Sequence, residues 1–150
     1  MIRMYALTAN SGEELKALSQ LCKIEGIRTY LPQVTICERR GGAWHPKEKM
    51  LIPGYVFAEC NLTPEIYYKV KNAAYIRGWV GKGEPTPMSE EDAKFISFMA
   101  NGGKPIPMLH FDSPFLKKSI IRAVDKRQRR IKATIMVMGK THTVTFGYLP

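Results

Sequence analysis

The chain has 150 residues, with 23 Lys and Arg against 13 Asp and Glu, a formal net charge of +10 at pH 7. Apolar residues make up 45% and charged residues 24%, which excludes wholesale disorder, and so large a positive excess points to a polyanionic partner, nucleic acid before an anionic membrane. No apolar run approaches the roughly 18 residues of a membrane span, and the opening MIRMYALTANSGEE has no signal-peptide core.

In chain order, residues 1–9 read as a buried strand around Met4-Tyr5-Ala6-Leu7. Ser11 and Glu14 have capping-box spacing. They open a helix whose Leu15, Leu18, Leu21 and Cys22 recur at helical spacing up to Gly26. Residues 27–38 favour a strand through Tyr30, Val34, Thr35 and Ile36, with an edge or bend at Pro32. Arg39-Arg40-Gly41-Gly42 is a turn, residues 43–51 run back, and residues 55–60 form a strongly apolar strand after Pro53-Gly54. Thr63-Pro64 caps a helix over residues 65–72, residues 76–81 form a strand, and Ser89 with Asp92 opens a helix over residues 90–99. The order β-α-β-β-β-α-β-α defines an α/β arrangement.

MANGGKPIP, residues 99–107, is the clearest linker. Beyond it, residues 120–124 form a strand and residues 125–130 a polar turn. Ile131, Ala133, Ile135 and Val137 then alternate with polar or exposed positions, and residues 143–146 alternate again after Gly139-Lys140. This all-β pattern predicts a small barrel. Charge divides at the same place. Residues 1–100 hold 13 cations and 11 acids, whereas residues 101–150 hold 10 cations and only Asp112 and Asp125, balances of +2 and +8. Two units with different tasks are expected.

The densest candidate site is Lys126-Arg127-Gln128-Arg129-Arg130, with Lys117, Lys118, Arg122 and Lys132 extending it. Cations in such a tract bind phosphates by Coulomb attraction and hydrogen bonding. A second is the arm of residues 39–49, where Arg39, Arg40, Lys47 and Lys49 flank Trp44 and His45, so that an aromatic can stack on a base beside phosphate contacts. A solvated charged face is the competing reading of both. Met50, Leu51, Ile52, Pro53, Gly54 and Tyr55, with Tyr67, Tyr68 and Tyr75, form an apolar cluster that composition alone assigns mostly to the core. No catalytic, metal or cofactor site is indicated. His45, His110 and His142 fall on different elements, and Gly81-Lys82-Gly83 lacks the spacing of a phosphate loop. Cys22, Cys37 and Cys60 form no C-x-x-C, which indicates a reduced, cytoplasmic compartment.

Several segments resemble the NusG family of transcription elongation factors. RMYAL before a helix resembles its first strand, GIRTYLP its second and ERRGGAW its β-hairpin. LIPGYVF, residues 51–57, looks like its F-P-G-Y signature, and RGWVGKG the end of its amino-terminal domain. Residues 109–150 resemble a KOW domain, with Ser113 standing where the family has glycine. The resemblance implies an NGN α/β sandwich over residues 1–100, a linker over 101–108 and a five-stranded SH3-like KOW barrel over 109–150. It implies a non-enzymatic, monomeric antitermination or elongation factor. Met4, Tyr5, Leu51, Ile52, Pro53, Gly54 and Tyr55 would meet the clamp helices of the RNA polymerase largest subunit, and Tyr67 and Tyr68 the gate loop. The arm would lie beside upstream DNA, and the KOW cations would hold RNA, including a hairpin. Within the family the arm and the cationic loop look most like the LoaP branch. A ribosome-associated KOW protein that binds RNA is the rival reading.

Overall fold

A computed structural model describes residues 1–150. Its elements are β1 (Ile2–Ala9), α1 (Glu14–Leu21), β2 (Arg28–Tyr30), β3 (Gln33–Arg40), β4 (Ala43–Met50), β5 (Tyr55–Asn61), α2 (Pro64–Lys71), β6 (Ile76–Trp79), α3 (Glu90–Met99), β7 (Ile120–Asp125), β8 (Arg130–Val137) and β9 (Lys140–Gly147). They form two compact units. The first comprises Met1–Leu31 and Pro53–Ser97, the second Pro32–Ile52 and Phe98–Pro150.

The first unit is built on a sheet in the order β2-β5-β1-β6. β1 pairs antiparallel with both β5 and β6. Met4, Tyr5, Ala6 and Leu7 are all buried, so β1 is covered on both faces, as its unbroken apolar run requires. Leu7, Val56 and Phe57 are fully buried at its centre.

The helices differ in how they begin. Thr63 caps α2 by accepting the Ile66 N–H at 3.2 Å, with Pro64 in the first turn, and Ser89 accepts the Asp92 N–H at 3.1 Å before α3. The expected box of Ser11 and Glu14 does not form. Gly12 turns the chain at φ 85°, and the residue before α1, Glu13, makes no side-chain cap. Glu14 is buried instead, and its Oε2 accepts the Gly54 N–H at 2.8 Å. The carboxylate thus holds the start of α1 to the Pro53-Gly54 turn, forty residues away in sequence.

The strand expected over residues 27–38 divides at Leu31-Pro32. Proline has no N–H for a ladder, and the chain changes sheets there. β2 stays on the edge of the first sheet beside β5, while β3 pairs with β4 in a separate ribbon. Arg40 and Ala43 are partners across a two-residue turn in which Gly41 and Gly42 have φ of 60° and 78°, the all-positive geometry that favours glycine and matches strand twist.

In the second unit β7, β8 and β9 form an antiparallel sheet. The alternation read from sequence sets its face: Ile131, Ala133, Ile135, Val137, Val144 and Phe146 are buried. Three strands form here rather than the five of an SH3-like barrel. Pro105, Pro107 and Pro114 remove donors from the preceding stretch, which contributes only two isolated bridges, Ile106 with Val34 and Leu109 with Tyr148, and a 3-10 turn over Pro114–Leu116. Residues of the expected linker are paired: Ile106 is fully buried, donates its N–H to the Gln33 carbonyl at 2.7 Å and accepts the Thr35 N–H at 2.8 Å. β3 also packs on β9, where Gly147 has no room for a side chain because the Thr35 carbonyl and Met108 lie against it.

Glu14→Ala should destabilise the protein by about 1.5–3 kcal/mol, the range for a hydrogen bond to a charged group, and Glu14→Gln by less. Urea denaturation followed by circular dichroism measures both.

Candidate functional site

The cationic tract sits on the loop joining β7 and β8. Asp125 pairs with Arg130 across the ladder, and Asp125 Oδ1 accepts the Gln128 N–H at 2.9 Å, which closes the loop. Arg129 adopts φ 57°, held by its carbonyl, which accepts the Tyr148 N–H at 2.8 Å. Beside the loop lies a groove of about 710 Å³ lined by Lys126, Arg127, Arg130 and Lys132 over Ala123 and Val124, with Asp125 as its only acid. Arg130 Nε is buried in this wall without a hydrogen-bond partner. Lys117, Lys118 and Arg122 are exposed but do not line the groove, and Arg122 Nε donates to Thr134 Oγ1 at 3.1 Å.

The arm is the β3–β4 ribbon. Arg39, Arg40, His45, Lys47 and Lys49 are exposed and Trp44 is half-buried. Lys47 is engaged by Glu38 at 3.5 Å, and His45 Nε2 lies 3.2 Å from the Arg40 carbonyl. The two candidate elements meet: the Arg129 guanidinium lies over the Trp44 ring, 4.5 Å from its centroid. Nothing in the spacing of positions 44 and 129 announces that contact.

The apolar cluster disperses. Met4 and Tyr5 are neighbours on a strand and project to opposite faces, so they do not line one surface. Both are buried, at 3% and 7% exposure, as are Leu51 and Ile52 at 2% and 4%. Of the residues assigned to polymerase contact, Pro53 and Tyr68 are exposed and Gly54, Tyr55 and Tyr67 half-buried. Trp79, which the sequence reading left out of the site, organises the rest. It stacks on Tyr67 with ring centroids 6.0 Å apart, meets the edge of Tyr5 at 5.6 Å, and donates Nε1–H to the Tyr67 carbonyl at 3.4 Å. Tyr67 also meets Tyr68 at 5.1 Å, extending the row to the surface. Pro64, Tyr67, Tyr68, Gly83 and Pro85 line a shallow cavity of about 340 Å³ beside it. The signal was available in sequence: Trp79 stands in a four-residue strand next to two glycines, an odd place for a large ring unless another element covers it.

Burial pushes the Cys60 thiol up from its ordinary pKa, with Glu59 adding to the effect, so it stays protonated and a poor nucleophile. No helix is long and apolar enough to cross a membrane.

The chain thus combines an α/β unit that carries a surface aromatic row with a β-rich unit that carries a concentrated cationic loop. The family model described as the transcription termination factor NusG matches residues 3–97. The transcription termination/antitermination protein NusG of Campylobacter jejuni is 24% identical, covering 97% of this chain and 94% of its own length. That of Helicobacter pylori is also 24% identical, covering 99% and 96%. A solved structure of Thermotoga maritima NusG shares the fold with a TM-score of 0.64 at 18% identity, over 98% of this chain and 94% of that one. The chain belongs to the NusG family of transcription termination/antitermination factors.

Alanine at Lys126, Arg127 or Lys132 should weaken binding to heparin or mixed RNA and lower the salt slope by about one each. Lys47→Ala, which removes a cation already neutralised by Glu38, should change the slope less. Binding titrations at several salt concentrations read the difference.

Proposed function

We propose that this chain is an elongation factor that binds RNA polymerase through its first unit and acts in processive antitermination while its second unit holds RNA, including a hairpin. The observation that carries this reading is the separation of surface chemistry. The row of Tyr67, Tyr68 and Trp79 belongs to the first unit, and the groove of Lys126, Arg127, Arg130 and Lys132 to the second. Rings with little conformational freedom suit a protein contact, whereas a cationic groove suits phosphates.

On this reading residues 1–100 are an NGN domain, 101–108 a connecting segment and 109–150 a reduced KOW domain. Pro53, Tyr55, Tyr67 and Tyr68 supply contact to the clamp helices and gate loop. The buried Met4 and Tyr5 act by shaping that surface, whereas the buried Leu51 and Ile52 belong to the second unit. Bridging a clamp requires no covalent chemistry, because binding the closed state more tightly than the open one shifts the population. Arg39, Arg40 and Lys49 then lie beside upstream nucleic acid. The exposed arm and the cationic loop support the LoaP branch, whose members recognise an RNA hairpin and antiterminate at particular long operons. The factor acts in the cytoplasm as a monomer. A ribosome-associated RNA-binding role leaves the aromatic row without a task and is not favoured.

Tyr68→Ala and Pro53→Asp in the full chain should each reduce capture of core RNA polymerase by roughly tenfold, the loss typical of a central interface residue. Arg127→Glu with Arg130→Glu should leave capture intact and abolish RNA shifts. Undiminished capture by both first-unit variants would remove the polymerase-contact assignment.

A further inference from the structure

We propose that the β3–β4 tip and the β7–β8 loop form one composite RNA site, in which Arg129 stacked on Trp44 receives an unpaired base while the adjoining groove holds the flanking phosphates. This rests on the RNA-binding reading above and assigns its recognition element.

The stacked pair is fixed from both sides. Trp44 is set by the ladder beside the Gly41-Gly42 turn, and Arg129 by its left-handed backbone and the Tyr148 N–H on its carbonyl. A guanidinium with one face on an indole keeps its other face for a nucleobase, and such planes are the usual seats of unpaired RNA bases. Both side chains are half-buried, so the plane is held in place without being sealed off.

The cations beside it are available. Arg129 and the four groove cations are outside the ion pairs of Lys16 with Glu13, Lys47 with Glu38 and Lys69 with Glu65. Asp125, the one acid in the groove, directs its carboxylate to the Gln128 N–H. Arg130 lines the groove, and a guanidinium there offers donors to a phosphate oxygen that enters it. A duplex offers phosphates to such a groove but keeps its bases stacked internally. A stem with an unpaired loop offers both, and that is the ligand the surface fits.

The test uses the full chain and three labelled probes: an RNA hairpin with an unpaired loop, the blunt RNA duplex of its stem, and a DNA hairpin of the same sequence. Trp44→Ala should weaken hairpin binding by roughly tenfold and duplex binding by less than about twofold, as expected for one lost stacked base. Trp44→Phe should retain most of the affinity, and guards against a folding defect. Arg129→Lys should keep the salt slope yet lose the preference for hairpin over duplex. Combining Trp44→Ala with Arg129→Lys should cost no more than either change alone, because the two act as one element. Equal losses on both RNAs, additive losses, or no effect of Trp44→Ala while RNA still binds would overturn the composite site and leave the RNA-binding reading standing. Failure of the unmodified chain to bind either RNA would overturn that reading, and the site with it. A DNA hairpin bound as tightly, with the same dependence on Trp44, would overturn the assignment to RNA.

Discussion

Two backbone hydrogen bonds at Ile106 determine where the β3–β4 ribbon goes. Ile106 lies between Pro105 and Pro107, so its N–H is the only donor in that stretch, and it is given to the Gln33 carbonyl. The Ile106 carbonyl in turn accepts from Thr35, and the side chain is fully buried. β3 therefore has a neighbour on each edge, β4 along one and Ile106 on the other. An exposed two-stranded ribbon is marginal by itself, and this second attachment supplies the packing it lacks. The approach of Thr35 to Gly147 follows from the same placement, as does the meeting of Trp44 with Arg129 farther along the ribbon.

The surface chemistry is distributed accordingly. In the first unit the large rings pack on one another, from buried Tyr5 through half-buried Trp79 and Tyr67 to exposed Tyr68. In the second unit the β7–β8 cations have no acidic partners, and the one nearby carboxylate closes the loop instead. The first unit holds 9 cations and 9 acids and the second 14 cations and 4 acids, so the whole net charge of +10 lies in the second unit.

Much of the fold was legible because it depends on local rules. The caps at Thr63 and Ser89, the Gly41-Gly42 turn and the alternation from Ile131 to Val137 each follow from a few adjacent residues. What was not legible depends on partners distant in the chain. Glu14 matches a capping box, but the Gly54 N–H competes for its carboxylate and wins. Pro32 marked a bend, yet nothing near it shows that the strand beyond joins a different unit. For the site, residue type was informative and grouping was not. The cations at positions 126–130 and the arm were found separately, while their contact depends on the register of two ladders. The apolar cluster was grouped by adjacency in sequence, which on a strand places Met4 and Tyr5 on opposite faces. Trp79 entered the site only through its neighbours in space.

Amide hydrogen exchange tests the placement of the ribbon most directly. If the Ile106 attachment holds β3, the Thr35 and Ile106 amides should exchange as slowly as those of β8. Fast exchange at both positions while the β8 amides stay protected would mean that the ribbon is free of residues 98–150, and Trp44 and Arg129 would then have no fixed relation.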